Sequence, residues 1–242
     1  MSGPGAGGRL KVAVLDYGIG NLRSAQKGLQ RVGVDAHLTA DHDEIAAADG
    51  VVLPGVGNFG ACIDALHAAD LAQVAIDAAA SGRPFLGICV GMQMLYEGSE
   101  ESPDTPGLGI LPGTVHLLPE GVKRPQMQWN RLDVDDHPLF GGLQGSWMYF
   151  VHSYAAEVND HTIATTDYGG PVCAAAAYRN VWATQFHPEK SADAGKRLAE
   201  NWVAAVAEFK RTGTVADAPA GPAPGVTAPA PAPGTSETAS AS

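Results

Sequence analysis

Over its first hundred residues the chain alternates short, continuous apolar runs with stretches whose apolar positions recur at helical spacing. Residues 10–15 read as a buried strand, followed by a helix carrying Ala25, Leu29 and Val32 on one face. Residues 34–38 form a weaker, edge-type strand, and Asp41 stands where it would cap a short helix over 44–48. A third strand covers 50–53 and runs into the glycine-rich loop Pro54-Gly55-Val56-Gly57; one helix is expected over 63–80. A fourth apolar run, 85–88, stops at Cys89, and helical spacing resumes at Met92, Leu95 and Tyr96. From residue 113 the texture changes. Short strands are expected over 113–118, 131–134, 147–154, 161–165, 172–178 and 181–186, with Gly-, Asn- and Asp-rich turns between them. A last helix begins at Ser191 and carries Leu198, Trp202, Val203, Val206 and Phe209. The pattern predicts an α/β fold: a mostly parallel central sheet flanked by helices, with an additional antiparallel layer. Residues 1–9 read as a flexible N-terminus, 10–211 as the folded domain and 212–242, rich in Ala and Pro, as a disordered tail.

Two stretches carry the candidate chemistry. In Gly87-Ile88-Cys89-Val90-Gly91 a buried strand turns sharply into a helix at a thiol, the layout of a nucleophile elbow with Cys in place of Ser. Glycines at 87 and 91 suit so tight a turn, and a helix N-terminus favours thiolate over thiol. Most lone cysteines are small buried hydrophobes, so the elbow alone leaves the matter open. Downstream, Gln185-Phe186-His187-Pro188-Glu189 ends the apolar run 181–186. Pro188 biases His187 toward an extended conformation, in which His187 and Glu189 point to one side. A thiol, a base to take its proton and a carboxylate to hold that base form a complete nucleophilic set: Cys89, His187 and Glu189. Either half has a plainer reading, an exposed histidine or a helix-opening glutamate. The two together are hard to explain otherwise.

Composition narrows the alternatives. Length suits one domain or at most two in 242 residues, enough for a sizeable core. The net charge of −11 and the lack of any Lys/Arg cluster argue against a nucleic-acid or anionic-membrane partner. Three irregularly spaced cysteines, Cys62, Cys89 and Cys173, make no disulfide framework and suit a reducing cytoplasm. Residues 1–8 are glycine-rich without an apolar core, so no signal peptide is expected, and no run reaches the ~18–20 apolar residues of a membrane span. Gly18-x-Gly20 lacks the third glycine of a dinucleotide fingerprint. Asp41-His42-Asp43-Glu44 has no second ligand cluster at a recognisable spacing. Neither cofactor nor metal is expected.

The elbow with Gln93 and the His-Pro-Glu stretch resemble those of the class I (triad-type) glutamine amidotransferases, which have a flavodoxin-like fold. Asp16-Tyr17-Gly18-Ile19-Gly20-Asn21-Leu22, Leu53-Pro54-Gly55-Val56-Gly57-Asn58-Phe59-Gly60 and Tyr149-Phe150-Val151-His152-Ser153-Tyr154 are similar to the histidine-biosynthesis branch, the glutaminase subunits of imidazole glycerol phosphate synthases. The similarity spans about residues 11–209. One departure is Pro125-Gln126-Met127-Gln128-Trp129-Asn130, where Pro-His-Met-Gly-Trp-Asn is commoner. The resemblance implies glutamine as substrate, held by Gly55, Gln93, Ser153 and Tyr154. Amides of Val90, Val56 and Gly57 are expected to form the oxyanion site; a plain turn is the simpler reading of the loop. It further implies a (β/α)8-barrel cyclase as partner in a heterodimer, docked around Asn21, Trp129, Tyr149 and Lys190. Two other classes remain at this stage: an amidotransferase serving another acceptor, and a non-catalytic redox or chaperone-like protein of the same fold. The last leaves His187 and Glu189 without a purpose.

Overall fold

The computed structural model describes residues 8–215. An eight-stranded sheet is built from β1 (Lys11–Leu15), β2 (Asp35–Thr39), β3 (Gly50–Gly55) and β4 (Phe85–Cys89) together with later strands. Between them lie α1 (Leu22–Arg31), α2 (His42–Ala47), α3 (Phe59–Ala68) and α4 (Ala72–Ala80), and α5 (Val90–Gln93) follows β4 directly. The second half contributes β5 (Gly98–Ser99), β6 (Thr114–Leu117), β7 (Gln126–Arg131), β8 (Asp133–Val134), β9 (Trp147–His152) and β10 (Tyr154–Ala156). Then come β11 (Thr162–Asp167), β12 (Pro171–Tyr178), β13 (Val181–Thr184) and the long α6 (Ala192–Thr212).

The main sheet runs β2-β1-β3-β4-β13-β12-β11-β8. Strands from β2 to β13 are parallel, and β12, β11 and β8 continue the same sheet antiparallel. Two small sheets, β10-β6-β5 and the β7-β9 ribbon, lie apart from it. The expected antiparallel strands therefore divide between an extension of the main sheet and these smaller sheets. β1, β3, β4 and β13 are buried nearly throughout, which is why they read as unbroken apolar runs rather than as alternation. Asp41 caps α2 as expected, its carboxylate accepting from the Glu44 amide at 2.9 Å.

Three expectations change. The single helix over 63–80 is two, α3 and α4, which meet at 93°. The chain turns sharply at Asp70, whose φ is 57°, and both helices keep apolar faces, so periodicity alone does not reveal the joint. The helix after the elbow is one turn long. Beyond it, Leu95 and Tyr96 bond three residues back, while the carbonyls of Met94, Leu95 and Tyr96 accept from Leu108, Ile110, Leu111 and Gly109. Those carbonyls are occupied by returning chain, so no further helical turn forms. Strand β7 begins within the stretch that departs from the commoner loop sequence, five residues before the strand expected from 131. α6 runs through Thr212 to a left-handed Gly213, and Val215 is buried. Residues 1–7 and 216–242, which hold most of the two expected flexible termini, lie outside the described residues. No single described helix is long and apolar enough to cross a membrane.

Candidate active site

The site lies at the C-terminal ends of the parallel strands, where open α/β sheets bind ligands. Sheet register assembles it. Gly55, the last residue of β3, pairs with Cys89, the last of β4, and Ile88 pairs with Thr184 of β13. This places the loop after β3, the thiol and the His187 segment side by side.

Cys89 has φ 57° and ψ −116°, a strained conformation for a residue with a side chain. The strain goes with a very close approach of backbone. A Cβ on Gly91 would stand 1.9 Å from the Leu53 carbonyl, and one on Gly87 would stand 2.9 Å from Leu95 Cδ1. Val90 opens α5, where a helix N–H has no partner within the helix.

His187 is extended (φ −102°, ψ 97°), as Pro188 dictates. Glu189 reaches it by a route the sequence did not suggest. Pro188–Lys190 is a single 3-10 turn, which curls Glu189 back to place Oε1 2.8 Å from His187 Nδ1. Both side chains are buried, at 1% and 5% exposure. Burial alone would lower the imidazole pKa, but its interactions with the Cys89 thiol and the Glu189 carboxylate outweigh that and lift it to about 9. Nε2 is buried and closes no hydrogen bond. Ring and thiol are thus coupled without being locked together, an arrangement common before substrate tightens a site. Ser191 fixes the backbone here: its hydroxyl donates to the His187 carbonyl at 2.6 Å and accepts from the Tyr149 amide at 3.0 Å.

A cleft of about 390 Å³ opens over the thiol. Its walls include Cys89, Val90, His187, Val56, Gly57, Gln93, Ser153 and Tyr154, with Asn21 and Lys190 at the same opening. Gly55 stands behind the loop rather than on the wall: a Cβ there would meet the Gly91 nitrogen at 2.7 Å and the Tyr17 hydroxyl at 3.0 Å. The model for the family described as "Glutamine amidotransferase class-I" matches residues 13–206. The chain belongs to this family. Among its relatives, imidazole glycerol phosphate synthase subunit HisH of Natronomonas pharaonis is 45% identical over 203 residues, 80% of this chain and 94% of the relative. The subunit of the same name from Rhodopirellula baltica is 46% identical over 202 residues, 81% and 98% of the two chains. The fold is shared more widely. PurLQS from Thermotoga maritima superposes with a TM-score of 0.63 at 18% identity, covering 81% of this chain and 98% of that one.

Three residues on or directly behind the wall of this amidotransferase cleft escaped the reading of the sequence. Gln185 is wholly buried; its amide nitrogen approaches Cys89 Sγ at 3.8 Å and its oxygen accepts from Gln93 Nε2 at 3.0 Å. The Gln93 nitrogen also donates to the Tyr154 carbonyl at 2.9 Å. A polar residue inside an otherwise apolar strand run was the available signal. Glu101 brings a carboxylate to the wall and accepts from the Phe59 amide at the start of α3 at 2.7 Å. His152 contacts the Tyr154 carbonyl through Nδ1 at 2.9 Å and Gln126 Oε1 through Nε2 at 3.0 Å. Burial lowers its pKa to about 4, against the Tyr154 carbonyl and with help from His187, so the ring is neutral. The carbonyl needs the proton on Nδ1, which makes Nε2 an acceptor. The Gln126 amide then satisfies the pair in the orientation that turns its NH₂, otherwise unpartnered, toward the ring. This gives Gln126 of the unusual loop a defined partner.

Trp129 and Tyr149 lie outside the cleft on the β7-β9 ribbon. They are directly opposite in register, with ring centroids 6.1 Å apart and edge-on. The same face presents Met127 and Trp147, both more than half exposed, while Met148 and Phe150 on the other face are fully buried. Lys190 Nζ lies 5.9 Å from the Tyr149 ring centroid, joining ribbon and cleft mouth.

Proposed function

We propose that this chain is the glutaminase subunit of imidazole glycerol phosphate synthase in histidine biosynthesis, working through a Cys89-His187-Glu189 triad. The observation that carries the mechanism is the buried His187–Glu189 pair coupled to a thiol on a strained elbow, beneath a cleft. His187, with its pKa raised to about 9, carries the proton taken from Cys89 as an imidazolium at neutral pH, and Glu189 holds the Nδ1 proton and stabilises that cation. The thiolate attacks the side-chain amide carbon of glutamine. The resulting oxyanion is held by the amide of Val90 and those of the Val56-Gly57 loop. The C–N bond breaks as His187 returns the proton to nitrogen, so ammonia leaves and a γ-glutamyl thioester remains on Cys89. Water, deprotonated by His187, hydrolyses the thioester to glutamate. Ser153 and Tyr154, both on the cleft wall, are assigned the amino-acid end of the substrate in this reading. The Glu101 carboxylate is the complement of its α-ammonium group. Gln93 spends its amide nitrogen on Tyr154 and Gln185, so its own part is to shape this wall.

Free ammonia is largely protonated near neutral pH and is then no nucleophile, so direct delivery to a second enzyme makes chemical sense. The partner in this reading is the (β/α)8-barrel cyclase, which uses ammonia to form imidazole glycerol phosphate and aminoimidazole carboxamide ribonucleotide. The aromatic ribbon face beside the cleft, with Asn21 and Lys190, suits a protein partner in a heterodimer: exposed aromatics at this density are characteristic of interfaces. Three buried free thiols suit the reducing cytoplasm. The test is the glutaminase rate of this chain alone, with the cyclase, and with cyclase plus its nucleotide ligand. The reading expects the rate to rise at each step. No glutamine turnover under any condition would overturn it.

A further inference from the structure

The loop expected to hold the oxyanion is gripped from beneath by two side chains that the mechanism above does not use. Tyr17 follows β1, and its hydroxyl donates to the Pro54 carbonyl at 2.6 Å. Cys62 lies on α3, and its thiol donates to the Val56 carbonyl at 3.4 Å. The two held carbonyls flank the Gly55–Val56 peptide on either side. Both side chains are shut away from water, Tyr17 at 4% exposure and Cys62 at none. Burial pushes the Tyr17 hydroxyl far above the usual phenol range, with the neighbouring Cys62 adding to the effect, and burial likewise pushes the Cys62 thiol up, only partly offset by its closeness to Tyr17. Each therefore keeps its proton at neutral pH and remains a donor. Space is equally constrained. Gly55 is confined between the Tyr17 hydroxyl, 3.0 Å from a Cβ built there, and the Gly91 nitrogen at 2.7 Å. Beyond the loop, Asn58 caps α3 through the Ala61 amide, and Glu101 and Ser102 accept from the Phe59 and Gly60 amides.

We infer that Tyr17 and Cys62 are positioning residues of the oxyanion loop, fixing the peptides on both sides of Gly55–Val56 so that the loop amides meet the developing oxyanion in register. This inference rests on the amidotransferase reading above. A donor misplaced by about 1 Å loses most of its effect on a transition state while leaving ground-state binding largely intact. The thiol is the weaker donor of the two, and a hydroxyl in its place keeps a donor on the same side of the Val56 carbonyl.

The experiment measures glutamine hydrolysis by the complex with the cyclase and its nucleotide ligand for wild type, Tyr17→Phe, Cys62→Ala and Cys62→Ser. Alkylation of Cys89 by iodoacetamide is followed in parallel, because that displacement needs no oxyanion site. Tyr17→Phe and Cys62→Ala are expected to lower kcat roughly tenfold to a hundredfold with KM and the alkylation rate unchanged. Cys62→Ser is expected to restore most of the loss. Unchanged kcat in Tyr17→Phe overturns the inference, as does a loss that appears equally in KM and alkylation, which would mark a general packing defect. If Cys62→Ala does not fold, Tyr17→Phe and Cys62→Ser still decide the matter. An inactive wild-type complex would instead overturn the amidotransferase reading itself.

Discussion

Cys89 combines a left-handed backbone with a buried thiol, and the chemistry proposed for it makes a sharp expectation. Cys89→Ala or Cys89→Ser abolishes glutamine hydrolysis while the cyclase still turns over added ammonium. Retained glutaminase activity in the Ala variant would make Cys89 a structural thiol. His187→Ala and Glu189→Ala are each strongly impaired, and combining them with Cys89→Ala adds little, because the three act as one unit. The two buried histidines give stability opposite dependences on pH. His187 has its folded pKa raised to about 9, so its contribution is complete below about 6.5 and is lost as pH rises toward 9. His152 has its folded pKa lowered to about 4, so the folded state loses stability as pH falls from about 6.5 toward 4, by roughly 3 kcal/mol. Denaturant melts across this range check both: His152→Gln should flatten the acid arm and His187→Gln the alkaline arm. At this scale the three residues proposed as the triad could be picked out because each stands in a distinctive local pattern. Gln185 and Glu101 were not. Their roles come from neighbours distant in sequence, and Glu101 sits in a polar stretch that reads as solvated loop.

Among elements, the elbow depends on the closeness of β3 to the turn after β4. Gly91→Ala would drive a methyl into the Leu53 carbonyl, so the variant should lose about 3 kcal/mol or more, or fail to fold. Near-wild-type melting of Gly91→Ala would contradict the packing described. The β7-β9 ribbon makes a separate prediction. Trp129 is 43% exposed and its pairing with Tyr149 survives without a partner, so Trp129→Ala should leave the isolated chain nearly as stable. It should weaken cyclase binding by roughly 2 kcal/mol, about 30-fold in Kd by calorimetry. An unchanged Kd would move the docking face elsewhere. The buried strands were readable because burial on both faces leaves a continuous apolar run. β7 was not readable for the opposite reason: Gln126-Met127-Gln128-Trp129-Asn130-Arg131 alternates, but its apolar side faces outward and its inward side carries a glutamine. The joint between α3 and α4 was hidden by apolar positions on both sides of it.

At the scale of the whole molecule, the core closes with α6 and Val215. A chain ending after Val215 is expected to keep its melting temperature and its cyclase-stimulated rate, and a clear drop in either would show that residues 216–242 contribute. The layered architecture was legible from the order of runs and helices; the way the antiparallel strands divide was not, because pairing partners leave no mark in a single sequence. One consequence of the topology concerns the time at which activity appears. β13 is the last strand among the described residues, yet it inserts between β4 and β12, strands made earlier. Until it does, β4 has an open edge, and the thiol at its end has no base beside it. A ribosome-bound chain that has emerged only to about residue 180 therefore holds an elbow that cannot consume glutamine, together with an unpaired strand prone to association. Closure is a long-range event that bridges residues 90–186, and such pairings are slow to form. In refolding experiments glutaminase activity should return no earlier than the slowest phase seen by Trp182 and Trp202 fluorescence, making catalysis itself the signal that folding is complete.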